Sequence, residues 1–404
     1  MNTPHSPHRR TSPRRSVAGI AVASLVLMVA VAAHAQTEYR REVITAAQGA
    51  QEALAAKKPA DALAKLSAVR AQADLNPDER LLTDRLAVVA ALDAQQAQVA
   101  IGALEAVLAN PKLAATDRPS LIDALVKASS QVEDHARSER WARACIDAGC
   151  PTARMRPYLL QALSLQKKHG DVLREMKPLL ADPALAKGVT EFEWRVLGFS
   201  QIALKDNAGY VQTLTQLLAT APSKAYWSDL LTRITTLPGF NPRLELDVYR
   251  LMLDTDNIED AAEYLDMARL SMKAGLPAEA ASVIERARSR GLAKDAATDT
   301  LLKQARQRAA EDEQSLAAMH KAAKDADGWA QLALVHFASG RWADAQQAWA
   351  NAFALGTPKH ADEARLHQGI ALARSGQNAM AREALGKVGG DASQIARLWL
   401  LRLG

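Results

Sequence analysis

The sequence predicts an all-helical chain, an α-solenoid of stacked antiparallel helix pairs. Three observations lead there. Ala, Leu, Gln, Lys, Arg and Glu fill most positions and aromatics make up only 4% of the chain, so helix formers dominate and strand formers are scarce. At 404 residues the chain is too long for one compact core, whereas a repeat stack grows along one dimension without needing a single centre. Small residues also recur at fixed offsets with a polar or glycine break between them, as closely packed helix hairpins require.

The N-terminal segment is set apart from the rest. Met1 to Arg15 is polar and basic, Ser16 to Ala33 is apolar, and Ala33-His34-Ala35 supplies a small-x-small site. Residues 1–35 therefore read as a secretory signal peptide cleaved between Ala35 and Gln36. An uncleaved anchor is the competing reading, but its apolar run barely reaches the length of a bilayer span. No Cys follows the cleavage point, which speaks against lipid attachment. The expected product is a periplasmic chain with no membrane span.

Cleavage also changes the electrostatics. Arg9, Arg10, Arg14 and Arg15 leave with the leader, which holds no acidic residue, so the formal net charge falls from +5 to +1. A nearly neutral chain with interspersed signs has no footprint for phosphate binding, and nucleic acid is excluded as a partner.

The repeat is clearest from Glu191 onward. Trp194-x2-Leu197-Gly198 opens one unit, Lys205-Asp206 breaks it, and Leu214, Leu217 and Pro222 complete it. Tyr264, Met267, Ala268, Gly275, Ala280, Ile284 and Ala287 fill the same slots. So do Trp329, Leu332, Ala333, Gly340, Trp342, Ala345, Trp349, Ala352 and Pro358, followed by Gly369, Gly376, Ala381 and Leu385. Upstream, the units are Ala50/Ala62/Leu66, Val88/Ala100/Leu104, Val126/Ser138/Ala142 and Gln161/Leu173, with Lys57, Gln95 and Glu133 standing where glycine is expected. Small residues let the paired helices approach, large apolar ones fill the space between pairs, and glycine supplies the left-handed turn.

Four regions follow: the leader 1–35; a solenoid over 36–293, degenerate at 224–254; a charged segment 294–325; and a C-terminal pair over 326–404. In the degenerate repeat, Lys224 to Thr236 and Pro242 to Asp254 form a helix pair without small-residue slots. The segment 294–325 fits either one long helix or a poor repeat. Roughly eight or nine helix pairs are expected in all.

The Trp-x2-Leu-Gly opening and the Pro about 28 residues later resemble the tetratricopeptide repeat, of the type found in periplasmic bacterial proteins. The resemblance implies a right-handed superhelix whose first helices line a binding groove, a scaffold or adaptor role toward proteins or peptides in an envelope assembly, and no catalysis. Groove slots then fall on Phe192, Arg195, Phe199 and Ile202; on Leu265, Arg269, Met272 and Lys273; on Leu334 and Phe337; and on Leu366, Ile370 and Arg374. Packing against the next repeat could absorb many of them. The row is part apolar and part basic, which suits a segment with acidic character. The family's carboxylate clamp needs Asn where this chain has Phe199, Arg269, Leu334 and Ile370, so a free chaperone C-terminus is not the expected ligand.

Other chemistry is sparse. Cys145 and Cys150 lie at a helix end with Gly149 between them, and both a disulfide and two free, partly buried thiols fit. Six histidines remain after cleavage and read as surface or groove residues. Asp254-Thr255-Asp256-Asn257 opens like a calcium loop, but Ile258 and Glu259 break the pattern, leaving Asp256 or Asn257 as a helix cap. Trp194, Trp329, Trp342 and Trp349 read as core, and no phosphate loop, nucleophile elbow, cofactor motif or metal motif is present. The alternatives to a scaffold are a polymer-acting envelope enzyme and a structural subunit that self-associates through the apolar helix Ile395 to Leu403; a monomer is expected. Mass spectrometry of the exported chain should give Gln36 as its first residue, and a mass that includes residues 1–35 would contradict the leader reading.

Overall fold

The computed structural model describes residues 39–404, so the leader lies outside the described residues. All regular structure among them is helical. The chain divides into two compact units, one ending at Val132 and one beginning at Glu133.

The first unit holds α1 (Arg41–Ala55), α2 (Pro59–Arg70), α3 (Pro77–Asp93), α4 (Ala97–Ala109) and α5 (Arg118–Gln131). Helix α1 pairs with α2, and α3 with α4. Ala50, Ala62 and Leu66 are fully buried, as are Val88, Ala100 and Leu104, so both sets of slots form the seams of their hairpins. Asn76 starts α3 through a capping box: its side chain accepts from Glu79 N–H, while the Glu79 carboxylate accepts from Asn76 N–H.

The second unit runs through α6 (His135–Asp147), α7 (Thr152–Leu165), α8 (His169–Ala181), the single turn α9 (Pro183–Ala186), α10 (Glu191–Ala203), α11 (Asn207–Thr220), α12 (Lys224–Ile234) and α13 (Glu245–Asp254). It continues through α14 (Ala261–Lys273), α15 (Pro277–Ser289), α16 (Ala296–Ala322), α17 (Ala326–Ala338), α18 (Trp342–Leu355), α19 (Ala361–Arg374), α20 (Asn378–Gly386) and α21 (Ser393–Leu403). Close hairpins form at α10/α11, α14/α15, α17/α18 and α19/α20. Their closeness depends on the small slot. A Cβ on Gly369 would sit 2.6 Å from Leu385 Cδ2, and one on Gly198 2.8 Å from the Tyr210 ring.

A second regularity accompanies the first. Seven residues after each slot the backbone turns left-handed, at Gly275, Gly340 and Gly376, but also at Lys57, Gln95, Glu133, Lys167 and Lys205, with φ of 57–60° in those five non-glycine residues. Most of these turns carry the same two backbone bonds. For example, Lys58 N–H donates to Ala53 O and Lys57 N–H to Leu54 O, which satisfies the orphan carbonyls of the ending helix.

Lys167 corrects the fourth unit. Its slots are Leu160, Val172 and Met176, all fully buried, one residue off the expected Gln161 and Leu173, which are only half-buried. The bulky Leu160 occupies a position that is small in most other units, so no small residue marked the register.

The segment 294–325 is one helix, α16, of 27 residues. Thr298, Leu302 and Ala305 bury its first half, and the second half is mostly exposed. Asp260 caps α14, accepting from Glu263 N–H, so neither Asp256 nor Asn257 is the cap. Asp256 instead sits at φ 55° and ends α13. Helix α21 buries Ile395, Leu398 and Trp399 within the chain, so part of the apolar helix expected to meet a second copy is already covered, while Leu400, Leu401 and Leu403 are half-buried. Trp194 and Trp349 are core as expected, whereas Trp329 and Trp342 are half-buried.

A left-handed non-glycine residue carries a steric cost that glycine avoids. Lys167→Gly and Lys205→Gly should each stabilise the second unit by about 0.5–1 kcal/mol, read as a higher urea midpoint. Unchanged or lower midpoints would show that these turns are unstrained.

Candidate functional site

Helix α10 begins at a capping box in which Thr190 Oγ1 accepts from Glu193 N–H and the Glu193 carboxylate accepts from Thr190 N–H. That start fixes the helix's rotation. Trp194 and Leu197 turn inward, and the buried Glu193 also takes the Arg156 guanidinium. The opposite stripe, at i, i+3, i+7 and i+10, is Phe192, Arg195, Phe199 and Ile202. All four face solvent, with Phe192 42%, Phe199 59% and Ile202 44% exposed. Leu165 at the end of α7 and Leu204 just after α10 are also exposed. The Phe199 ring meets only the edge of His169 among aromatic neighbours, at 5.7 Å between centroids. An open apolar row with a guanidinium in it offers burial for two or three side chains and a salt link to an anionic neighbour.

The expected row does not continue evenly. On α14, Arg269 and Lys273 are exposed and Leu265 and Met272 half-buried, with Arg269 held 3.0 Å from Asp266. Leu334 on α17 is half-buried. Phe337, Leu366 and Ile370 are fully buried and line no open groove, which corrects the expectation for those three positions. Arg374 is engaged as well: it pairs with Asp254 at 3.2 Å and lies over the Trp342 ring at 5.5 Å.

Phe337 and Arg374 are engaged at a seam within the second unit. Residues 241–254, in and before α13, meet residues 363–402 of α19 to α21. Arg243 makes a two-pronged bond to Glu363 at 2.9 and 3.0 Å, Asn241 donates to Asp391 at 3.0 Å, and Arg250 stacks over Phe337 at 4.9 Å. Below these lies a buried ionic cluster. The Arg250 Nε and Nη2 donate to the two Glu279 oxygens at 2.8 and 2.7 Å, and Nη1 donates to Asp247 at 2.7 Å. His367 Nε2 stands 2.9 Å from Asp247 Oδ1 and 3.1 Å from Arg250 Nη1. His367 is thus a buried seam residue, neither surface nor groove.

Burial opposes the charge on Asp247, yet His367 and Arg250 hold its carboxyl well below the usual carboxylate range. Burial likewise opposes the charge on Glu279, and Arg250 brings it below its ordinary value. The members of the cluster are hydrogen-bonded to one another. Among the described residues, no group of three or more His, Cys, Asp or Glu side chains could hold a metal ion. Nor is any described helix long and apolar enough to cross a membrane.

Sequence reasoning located the α10 row but missed Asp247, Arg250 and Glu279. A signal was present: Asp247 and Arg250 interrupt the run Leu246, Val248, Leu251 and Met252, and charges flanked by apolar residues on both sides of a helix mark a buried pair. Cys145 and Cys150 form a disulfide, with Cα atoms 5.1 Å apart, across the turn between α6 and α7.

No family model matches the chain, and no curated protein matches it. Solved structures do. The TPR2AB domain of yeast Sti1 in its pHSP90 complex is 12% identical, with a TM-score of 0.33 over 65% of this chain and 98% of that one. The pentatricopeptide repeat protein PPR10 from maize is 16% identical, with a TM-score of 0.29 over 98% of this chain and 61% of that one. Yeast Tom70 is 10% identical, with a TM-score of 0.24 over 89% of this chain and 88% of that one. At those scores none of them bears on what this chain binds.

Removing one member of a buried ion cluster leaves the others uncompensated. Arg250→Ala should destabilise the second unit by about 3–5 kcal/mol in urea melts at neutral pH. The depressed carboxylates set the pH dependence: their contribution is full above the unfolded carboxylate range of about 4 and is lost as pH falls through their lower folded values. Arg250→Ala should flatten that acid limb, and an unchanged acid limb would remove the cluster from the stability account.

Proposed function

We propose that this chain is an exported periplasmic helical-repeat scaffold. It binds a partner protein or peptide through the α10 face, within an envelope assembly, and performs no chemistry of its own. The observation that carries the reading is the exposed row Phe192, Arg195, Phe199 and Ile202 on a helix whose other face is locked into the core. Isolated exposed apolar residues are ordinary on protein surfaces, but here they fall on one helical stripe around a guanidinium. The partner segment this suits is apolar with one acidic side chain opposite Arg195. Export rests on the leader 1–35, and the tetratricopeptide reading on the slot spacing together with the helix hairpins it produces.

A photoreactive residue placed at Ile202 in cells should give a discrete protein adduct. The same group at Ala219, exposed on α11, should give none. Arg195→Glu combined with Phe199→Asp should reduce the Ile202 adduct at least about tenfold while circular dichroism stays unchanged, since the interaction lost exceeds about 1.4 kcal/mol. An adduct indifferent to both substitutions would overturn the assignment of the face.

A further inference from the structure

The seam between α13 and α19–α21 carries a second reading. We propose that it is a reversible latch. Closed, it withholds Phe337, which lies under Arg250, and Arg374, which is paired with Asp254, from partners; open, it adds them to the surface that α10 already presents. The inference rests on reading both rows as partner-facing.

Three features fit a closure that can open, and they differ from those of a permanent core. First, the buried ion cluster is nearly complete on one wall. Both Glu279 oxygens and Asp247 bond the Nε, Nη1 and Nη2 of Arg250 from α13 and α15, while from α19 only His367 hydrogen-bonds to the cluster and Arg374 acts on Glu279 by charge alone. Separating the walls therefore takes one hydrogen-bonded imidazole, the Arg374 charge and the Phe337 ring from the cluster and leaves the guanidinium paired. A cluster split evenly between the walls would strand buried charges on opening.

Second, the other side-chain bonds across the seam are polar and mostly exposed. They are Arg243–Glu363, Asn241–Asp391, Arg374–Asp254 and the Arg402 bond to Asp254 O. Water replaces bonds of this kind at little net cost.

Third, the walls are not packed throughout. A cavity of about 650 Å³ lies along the seam, floored by Val211, Ile234, Leu244, Ile395 and Leu398. Unfilled space there means that less apolar contact is lost on opening than at a close-packed interface. Close backbone approach across the seam is found for α21 against α11 and α13 and for α15 against α17.

The groups facing His367 are Asp247 and Arg250 from α13, with Phe337 from α17 and Trp349 from α18 around the ring. Glu279 of α15 and Arg374 of α19 complete the charges of the cluster. His367→Asn removes the one cross-wall hydrogen-bonded member without touching the triad.

Spin labels at Ala219→Cys on α11 and Ala379→Cys on α20 report the separation of the walls. Both positions are exposed and outside the seam, and the native cysteines are disulfide-bonded and will not take the label. Pulsed dipolar spectroscopy should find a longer-distance population that grows at least threefold in Arg243→Ala/His367→Asn with helix content retained. With the seam unsubstituted, raising salt from about 0.05 to 0.5 M should move the distribution the same way, because exposed ion pairs are screened. A single distribution, unchanged in both series, overturns the latch. Should the double variant fail to fold, the salt series decides alone. Neither readout needs a partner, so their failure leaves the α10 reading intact, and failure to crosslink through α10 leaves these distances to stand.

Discussion

At two crossings in this chain the paired helices approach too closely for ordinary side chains. At Gly369 even a methyl group would collide with Leu385, and at Gly198 with Tyr210. The turn that reverses the chain stands at a fixed distance from this contact. It falls seven residues on, in the left-handed region, whether glycine is present or Lys57, Gln95, Glu133, Lys167 or Lys205 must adopt it. Hairpin geometry therefore overrides local preference: the turn keeps its distance from the slot even where Val88, Val126 or Leu160 fills it, and five non-glycine residues accept an unfavourable backbone conformation.

That constraint also decides what remains outside. A helix turned so that Trp194 and Leu197 face the core must present Phe192, Arg195, Phe199 and Ile202 to solvent. The same register on α17 and α19 holds Phe337, Leu366 and Ile370, yet all three are buried, and Arg250 of α13 lies over Phe337. Equivalent positions thus have different fates, set by contacts more than a hundred residues apart in sequence, such as Arg243 to Glu363.

Those long contacts mark the limit of what the sequence reveals. Periodicity and small-residue spacing are local, so the helices, most slots and the α10 stripe were legible. The one-residue slip at Leu160 arose because a bulky side chain occupies a position that is usually small. The cap at Asp260 was placed too early because Asp256 resembles a cap by composition but ends α13 in a left-handed turn. The seam was not legible at all. Nothing in a repeat pattern states that His367 will meet Asp247, although two charges within the apolar run of α13 announced that something buried must pair with them.

The central claim is that the free chain presents one partner-facing row on α10 and seals the equivalent row on α17 and α19. Carbene footprinting of the purified chain, resolved by residue, tests it most directly. Strong labelling of Phe192, Phe199 and Ile202 with protection of Phe337, Leu366 and Ile370 is the predicted result. Equal labelling of the two rows, or protection of the α10 row, would contradict it.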